Sequence, residues 1–217
     1  MTTFPRSPRL NKGGVVLIDP VSGMVRRIIA LQYNPDTLTR SLQVQGAGGE
    51  GGDRLEALRL KGPPVETIRL EAEIDAADQL AQGDTQVATL GIHPVLAALE
   101  TIVYPTSGQV RASEGQASAG SIEIAPAEAP LSLFVWSSTR ILPVRLTEFS
   151  ITEEAFDPAL NPLRAKVSLG MRVLSVNDLG LQHKGGSLFM AYFQRKEQLA
   201  ALSAPGTFGA LGIGGIP

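Results

Sequence analysis

Apolar and polar positions alternate from Ile68 to Asp75, with Ile68, Leu70, Ala72 and Ile74 on one parity and Arg69, Glu71, Glu73 and Asp75 on the other. Successive side chains of a strand point to opposite faces, so this segment reads as a half-buried antiparallel strand. The same alternation sets Val167, Leu169, Met171 and Val173 against Lys166, Ser168, Gly170 and Arg172. Apolar, β-branched runs at Val15–Ile18 and Val25–Tyr33, bounded by Asp19-Pro20 and Asn34-Pro35, predict two more strands. Between Leu131 and Thr152 the apolar phase slips: Val144 and Leu146 share a parity that Phe149 and Ile151 do not. One inserted residue would return both pairs to one face, which predicts a bulge or bend near Thr147 and Glu148. Bent antiparallel strands suit barrels and sandwiches, and the class expected is mainly β (α+β).

Two stretches keep the helical period instead. Ile92, Val95, Leu96, Leu99, Ile102 and Val103 recur at helical spacing, with Pro94 in the first turn and Pro105 closing the segment. Such a helix covers a sheet face or a barrel mouth. A second, from Ser187 as cap to Leu202, puts Phe189, Tyr192, Phe193, Leu199 and Ala200 on a common side. The long polar excursions lie elsewhere, in a glycine-rich arm from Gly46 to Pro64 and a loop from Thr106 to Gly120. Loops this long in a compact domain are usually functional or disordered. The chain therefore divides into one domain over residues 1–203 and a Gly-rich, uncharged tail over 204–217.

Composition narrows the chemistry. The 217 residues are 43% hydrophobic, enough for one sizeable core. Nineteen Lys and Arg against 21 Asp and Glu leave a net charge of -2, without the basic excess of a nucleic-acid surface. The chain has no cysteine, so neither a disulfide framework nor a thiolate site is available. No stretch approaches the ~20 apolar residues of a membrane span, and the N-terminus lacks the apolar core of a signal peptide. Cytoplasmic assembly without membrane insertion of its own is the expectation, with the chain released or membrane-anchored only as part of a larger object.

Gly46, Gly48 and Gly51 spell a G-x-G-x-x-G after a short candidate strand, Ser41 to Gln45, and Glu66 follows where a ribose-binding acid would sit. Only about two turns of helix fit between Asp53 and Leu60 before Gly62-Pro63-Pro64, too few for a βαβ crossover. The motif therefore reads as a flexible loop. His93 ends a loop before Pro94, and His183 sits in a polar turn beside Lys184-Gly185-Gly186, each without a motif partner. Glu153 and Glu154 are strand neighbours pointing to opposite faces, and Ser137, Ser138 and Ser187 lack a nucleophile elbow. No catalytic, cofactor or metal site is assigned, and the chain is read as a structural protein and not an enzyme.

Several blocks then resemble a known family. Leu31-Gln32-Tyr33-Asn34-Pro35, Arg40-Ser41-Leu42 and the run from Gly52 through Gly62-Pro63-Pro64 to Ile68 look like the N-terminal part of the tube-type baseplate proteins of extracellular contractile injection systems. Gly91-Ile92-His93-Pro94 through Tyr104-Pro105, and Thr152 to Asp157-Pro158 with Leu160-Asn161-Pro162-Leu163-Arg164-Ala165, look like its later blocks. The resemblance covers roughly Gly14 to Leu202 and lies in the combination and order of the blocks.

That likeness implies a tail-tube fold of two antiparallel sheets in a barrel-like sandwich with a flanking helix. It implies a homo-hexameric ring in a phage-tail-like particle, acting as the tube initiator that joins a VgrG-like spike or hub protein to the inner tube protein among other baseplate subunits. Many relatives carry a C-terminal LysM module, where this chain has its Gly-rich tail. On this reading Asp53, Arg54, Glu56, Arg59, Lys61, Pro63 and Pro64 of the arm are the candidate inter-subunit contacts. Arg69, Glu71, Glu73 and Asp75 are the candidate lumen face. The competing expectations are the main inner-tube protein of the same particle and a monomeric β-barrel binding module.

Overall fold

The structure, a computed structural model, describes residues 11–46, 58–118 and 129–216. Its strands are β1 (Gly14–Ile18), β2 (Val25–Ala30), β3 (Leu38–Gln43), β4 (Val65–Asp75), β5 (Leu131–Ser137), β6 (Arg140–Phe156) and β7 (Pro162–Val173). They form one antiparallel seven-stranded sheet in the order β2-β1-β5-β6-β7-β4-β3. The expected mainly β, α+β class is what the chain adopts.

Strand β6 gives the sheet its form. Its first residues, Arg140 to Val144, pair with β5, whereas Val144 to Phe156 pair with β7. The register shifts between Leu146 and Glu148, so Thr147 is the extra residue of a bulge, at the position the phase slip indicated. The bulge keeps Leu146 opposite Met171 and Phe149 opposite Leu169, on the core face in both cases. The strand thus serves two four-stranded leaves, β2-β1-β5-β6 and β6-β7-β4-β3. Buried residues of both, including Ile29 and Phe134 of one and Ile68 and Val167 of the other, belong to a single core, so the leaves face each other across it. Gln32 fastens them at one end: its Nε2 donates to the Asp75 carbonyl at 2.6 Å and its Oε1 accepts from the Asp75 N–H at 3.0 Å.

Helices close this core. They are α1 (Ala77–Ala81), α2 (Thr85–Leu90), α3 (His93–Glu100), α4 (Ser107–Ser118), α5 (Val176–Leu179) and α6 (Lys184–Ala201). Ile92, Leu96 and Leu99 of the α3 segment, and Phe189 and Tyr192 of α6, fill the space between the leaves. Gly91, at φ +57°, lets the α3 segment approach β7 closely enough for the Ile92 N–H to meet the Pro162 carbonyl at 2.9 Å.

Several expectations need correction. The run from Leu131 to Thr152 is two strands, reversed at Ser138-Thr139. The second strand of the sheet ends at Ala30 and not Tyr33, and the short strand expected at Ser41–Gln45 spans Leu38–Gln43. The loop expected from Thr106 to Gly120 is largely helix α4, because Thr106 and Gln109 form a capping box: the Gln109 N–H donates to Thr106 Oγ1 at 3.2 Å, and the Thr106 N–H to Gln109 Oε1 at 2.9 Å. Helix α6 begins at Lys184, capped by His183 and not by Ser187, since His183 Nδ1 accepts the Gly185 N–H at 3.0 Å. His93 opens α3 rather than ending a loop, with Ile92 as its cap. Helices α1 and α2 have no buried residue, which is why no apolar period announced them.

Candidate functional site

The two leaves differ in what they leave uncovered. In the leaf β6-β7-β4-β3 the cross-strand rows on the outer face are Glu148–Gly170–Arg69, Ser150–Ser168–Glu71, Thr152–Lys166–Glu73 and Glu154–Arg164–Asp75. The four candidate lumen residues therefore stand in one line on a face built of polar side chains. Arg69 Nη2 reaches Glu148 Oε1 at 2.7 Å, and Arg164 Nε reaches Asp75 Oδ2 at 2.7 Å. Lys166 and Glu154 approach to 3.7 Å. Exposed pairs such as Arg69–Glu148 contribute little to stability, so the face is balanced in charge rather than held by it.

Gly170 makes the first of these pairs possible. It lies on β7 between Arg69 on β4 and Glu148 on β6, and a Cβ there would come within 2.8 Å of the Glu148 Cβ. The missing side chain also opens a shallow depression of about 540 Å³, lined by Thr39, Arg69, Glu71, Glu148, Ser150 and Ser168 among others. The Asp75 carboxylate is held below its usual range chiefly by the Ala77 N–H, with Arg164 helping against the opposing effect of burial.

The same leaf has two free borders. Beyond Val144, β6 pairs only with β7, and β3 pairs only with β4, so among the described residues the outer edges of both have no backbone partner. Unpaired N–H and C=O rows of this kind invite strand addition. Four antiparallel strands put the two borders in opposite directions, so the β3 of one copy laid beside the β6 of another makes a further antiparallel pair.

A buried charged cluster fixes the β3 border. Glu66, 3% exposed, accepts from Arg40 Nε at 2.7 Å, from Lys196 Nζ at 2.9 Å and from the Tyr192 hydroxyl at 3.3 Å. Arg40 Nη2 donates to the Tyr192 hydroxyl at 2.8 Å, and Lys196 Nζ lies 4.3 Å from the centre of the Tyr192 ring. One carboxylate thus ties β3, β4 and the C-terminal half of α6 together. The motif reading missed this role, although the signal was present: Glu66 is in phase with Ile68, Leu70 and Ala72, the core parity of β4. A carboxylate on an apolar row must find buried partners.

The arm is less free at its base than a loop. Gly46 pairs with Leu60 and the Lys61 N–H donates to the Gln45 carbonyl at 2.9 Å, so the legs extend the β3–β4 hairpin. Arg59 and Lys61 are exposed, as are Val44, Leu58 and Leu60, whereas Pro63 and Pro64 are half-buried where the leg enters β4. Asp53, Arg54 and Glu56 lie outside the described residues.

The blocks behind the family resemblance mostly hold the fold. Asn34 Oδ1 accepts the Gly13 N–H at 2.9 Å, and Asn161 Nδ2 bridges Asp157 Oδ2 at 2.8 Å and the Thr89 carbonyl at 3.1 Å. The Asp157 carboxyl is lowered mainly by the Asn161 side chain and N–H. Among the described residues no group of three or more His, Asp or Glu side chains is placed to hold a metal ion, and no helix is long and apolar enough to cross a membrane.

No family model matches the chain, and no curated protein matches it. Among solved structures it is similar to a chain in the tail of an empty GTA particle determined with helical refinement in C6 symmetry. The likeness covers 75% of this chain and 90% of that one, at 14% identity and a TM-score of 0.28.

Proposed function

We propose that this chain is a structural subunit of a phage-tail-like particle, closing into a six-membered ring by pairing the β3 border of each copy with the β6 border of the next. The observation that carries this reading is the leaf β6-β7-β4-β3, which among the described residues has free antiparallel borders on both sides and a polar outer face over its central rows. A ring is the arrangement that leaves neither border bare. Six copies, and a place between a VgrG-like spike or hub protein and the inner tube, are carried over from the family resemblance of the sequence blocks.

In the closed ring the rows through Arg69, Glu71, Glu73 and Asp75 face the channel, where a hydrated, charge-balanced wall lets cargo pass without adhering. The exposed hairpin legs with Arg59 and Lys61 reach the adjoining layer. The chain has no catalytic role on this reading.

Negative-stain electron microscopy of the purified chain, alone and with its inner tube protein, tests it. Six-fold rings, or tubes that begin only when the chain is added, are expected. Tubes formed by the chain alone would make it the main tube protein. A monomer under all conditions would leave a binding module.

A further inference from the structure

We propose that the C-terminal segment Thr207–Ile213 of one copy docks in an apolar groove of the neighbouring copy and staples the ring. The segment is already shaped. Thr207 Oγ1 caps a 3-10 turn at Phe208–Leu211 by accepting the Ala210 N–H at 3.2 Å, and Gly212 ends it in the left-handed conformation. The turn presents Phe208, Leu211 and Ile213 to solvent. No charged side chain occurs from Gln198 to Ile216, so the segment brings no ion of its own into the groove, whose lining includes one charged side chain, Arg145.

The groove lies where β6 leaves β5. It has a volume of about 350 Å³ and is lined by Pro20, Ile102, Val103, Leu146, Leu174 and Leu179 among others. A cavity of about 150 Å³ accommodates one benzene-sized ring, so the groove has room for roughly two such side chains. His183 also lines it, and because Nδ1 accepts the Gly185 N–H, the proton of the neutral ring is on Nε2, which is buried without a partner.

The geometry of α6 selects a second copy as the donor. The N-terminal cap of α6, His183, is at the groove, beside the β6 border, whereas Tyr192 at the middle of the helix and Lys196 a turn further on bind Glu66 and Arg40 at the β3 border. Eighteen helical residues span about 27 Å. Because Tyr192 and Lys196 point the C-terminal part of α6 toward the β3 border, the tail starts from that side, away from its own groove. In the ring proposed above, on which this inference rests, the β3 border of one copy adjoins the β6 border of the next, and with it the next copy's groove.

The absence of cysteine in the natural chain permits a direct test. A full-length V103C/F208C double variant is oxidised at a protein concentration where the wild type is oligomeric. Denaturing electrophoresis without reductant should shift the monomer band to a ladder of dimers and higher species, which reductant collapses and neither single variant gives as a ladder. Mixing V103C chains with F208C chains should yield the crossed dimer. An internally bridged monomer, or oligomers with no cross-link, overturns the docking while leaving the ring reading intact. A wild type that is monomeric at every concentration overturns the ring reading, and the docking with it.

Discussion

The two leaves share strand β6 and one core, yet they are built to opposite ends. In β1 and β5 of the first leaf both faces are largely covered, one by the main core through Phe134, whose cross-strand partner Val15 is also buried, the other by a second cluster of Ile18, Leu131 and Leu133. In β4 and β7 of the second leaf only one face is buried, and the other carries Arg69, Glu71, Glu73, Arg164 and Lys166. A strand covered on both faces anchors the fold. A strand covered on one face, in a leaf whose borders have no backbone partner among the described residues, leaves surface open.

The sharpest way to break this contrast is to remove apolar volume from the first leaf. Phe134, 1% exposed, should cost about 3 to 5 kcal/mol when replaced by alanine, seen as a lower midpoint in urea unfolding. An unchanged midpoint would mean that this leaf is not the anchor. Next in size is Glu66→Ala, which leaves Arg40 and Lys196 facing each other without their carboxylate. Both cations retain some contact with water, so a loss of about 2 to 3 kcal/mol is expected, below the full range for breaking a buried pair. Glu66→Gln, which keeps hydrogen bonding, should lose less.

Gly170→Ala should cost about 1 to 2 kcal/mol, because the new methyl group strikes Glu148 and parts it from Arg69. Reversing charge at Glu71 and Glu73 together should move the unfolding midpoint by less than about 0.5 kcal/mol in free energy. The same variant should alter cargo loading in assembled particles, and wild-type loading would remove these residues from the channel wall.

The smallest effect concerns acid. Asp75 titrates below its ordinary range in the folded chain, so the stability it contributes is present above that range and is lost as pH falls through it. Asp75→Asn should lower the melting temperature slightly at neutral pH, where the carboxylate contributes, and flatten its fall between about pH 5 and pH 2, so that the two proteins converge in acid.

How far the sequence revealed this arrangement depended on whether burial was periodic. The rows of β4 and β7 and the bulge at Thr147 were legible because a core on one face imposes a strict two-residue period. Strand β3 was read only in part, since its exposed border leaves Thr39, Ser41 and Gln43 without an apolar rhythm. Helix α4 was missed because it stands on its cap and not on a buried stripe, and α6 was begun too late because a histidine cap resembles a polar turn. Of the candidate contacts, Arg59 and Lys61 lie exposed on the hairpin leg, whereas Glu66, first met as an adjunct to a glycine motif, is the hub of the buried charged cluster. The pairing of β3 with β6 proposed between copies could not be read at all, because it depends on which strand borders remain open after folding.

Hydrogen exchange followed as a function of protein concentration tests the central claim most directly. As the oligomer forms, amides in Leu38–Gln43 and in the second half of β6, Arg145 to Phe156, should become protected together while those of β2 stay unchanged. Oligomers in which these two borders exchange as they do in the monomer, or in which β2 alone gains protection, would contradict it.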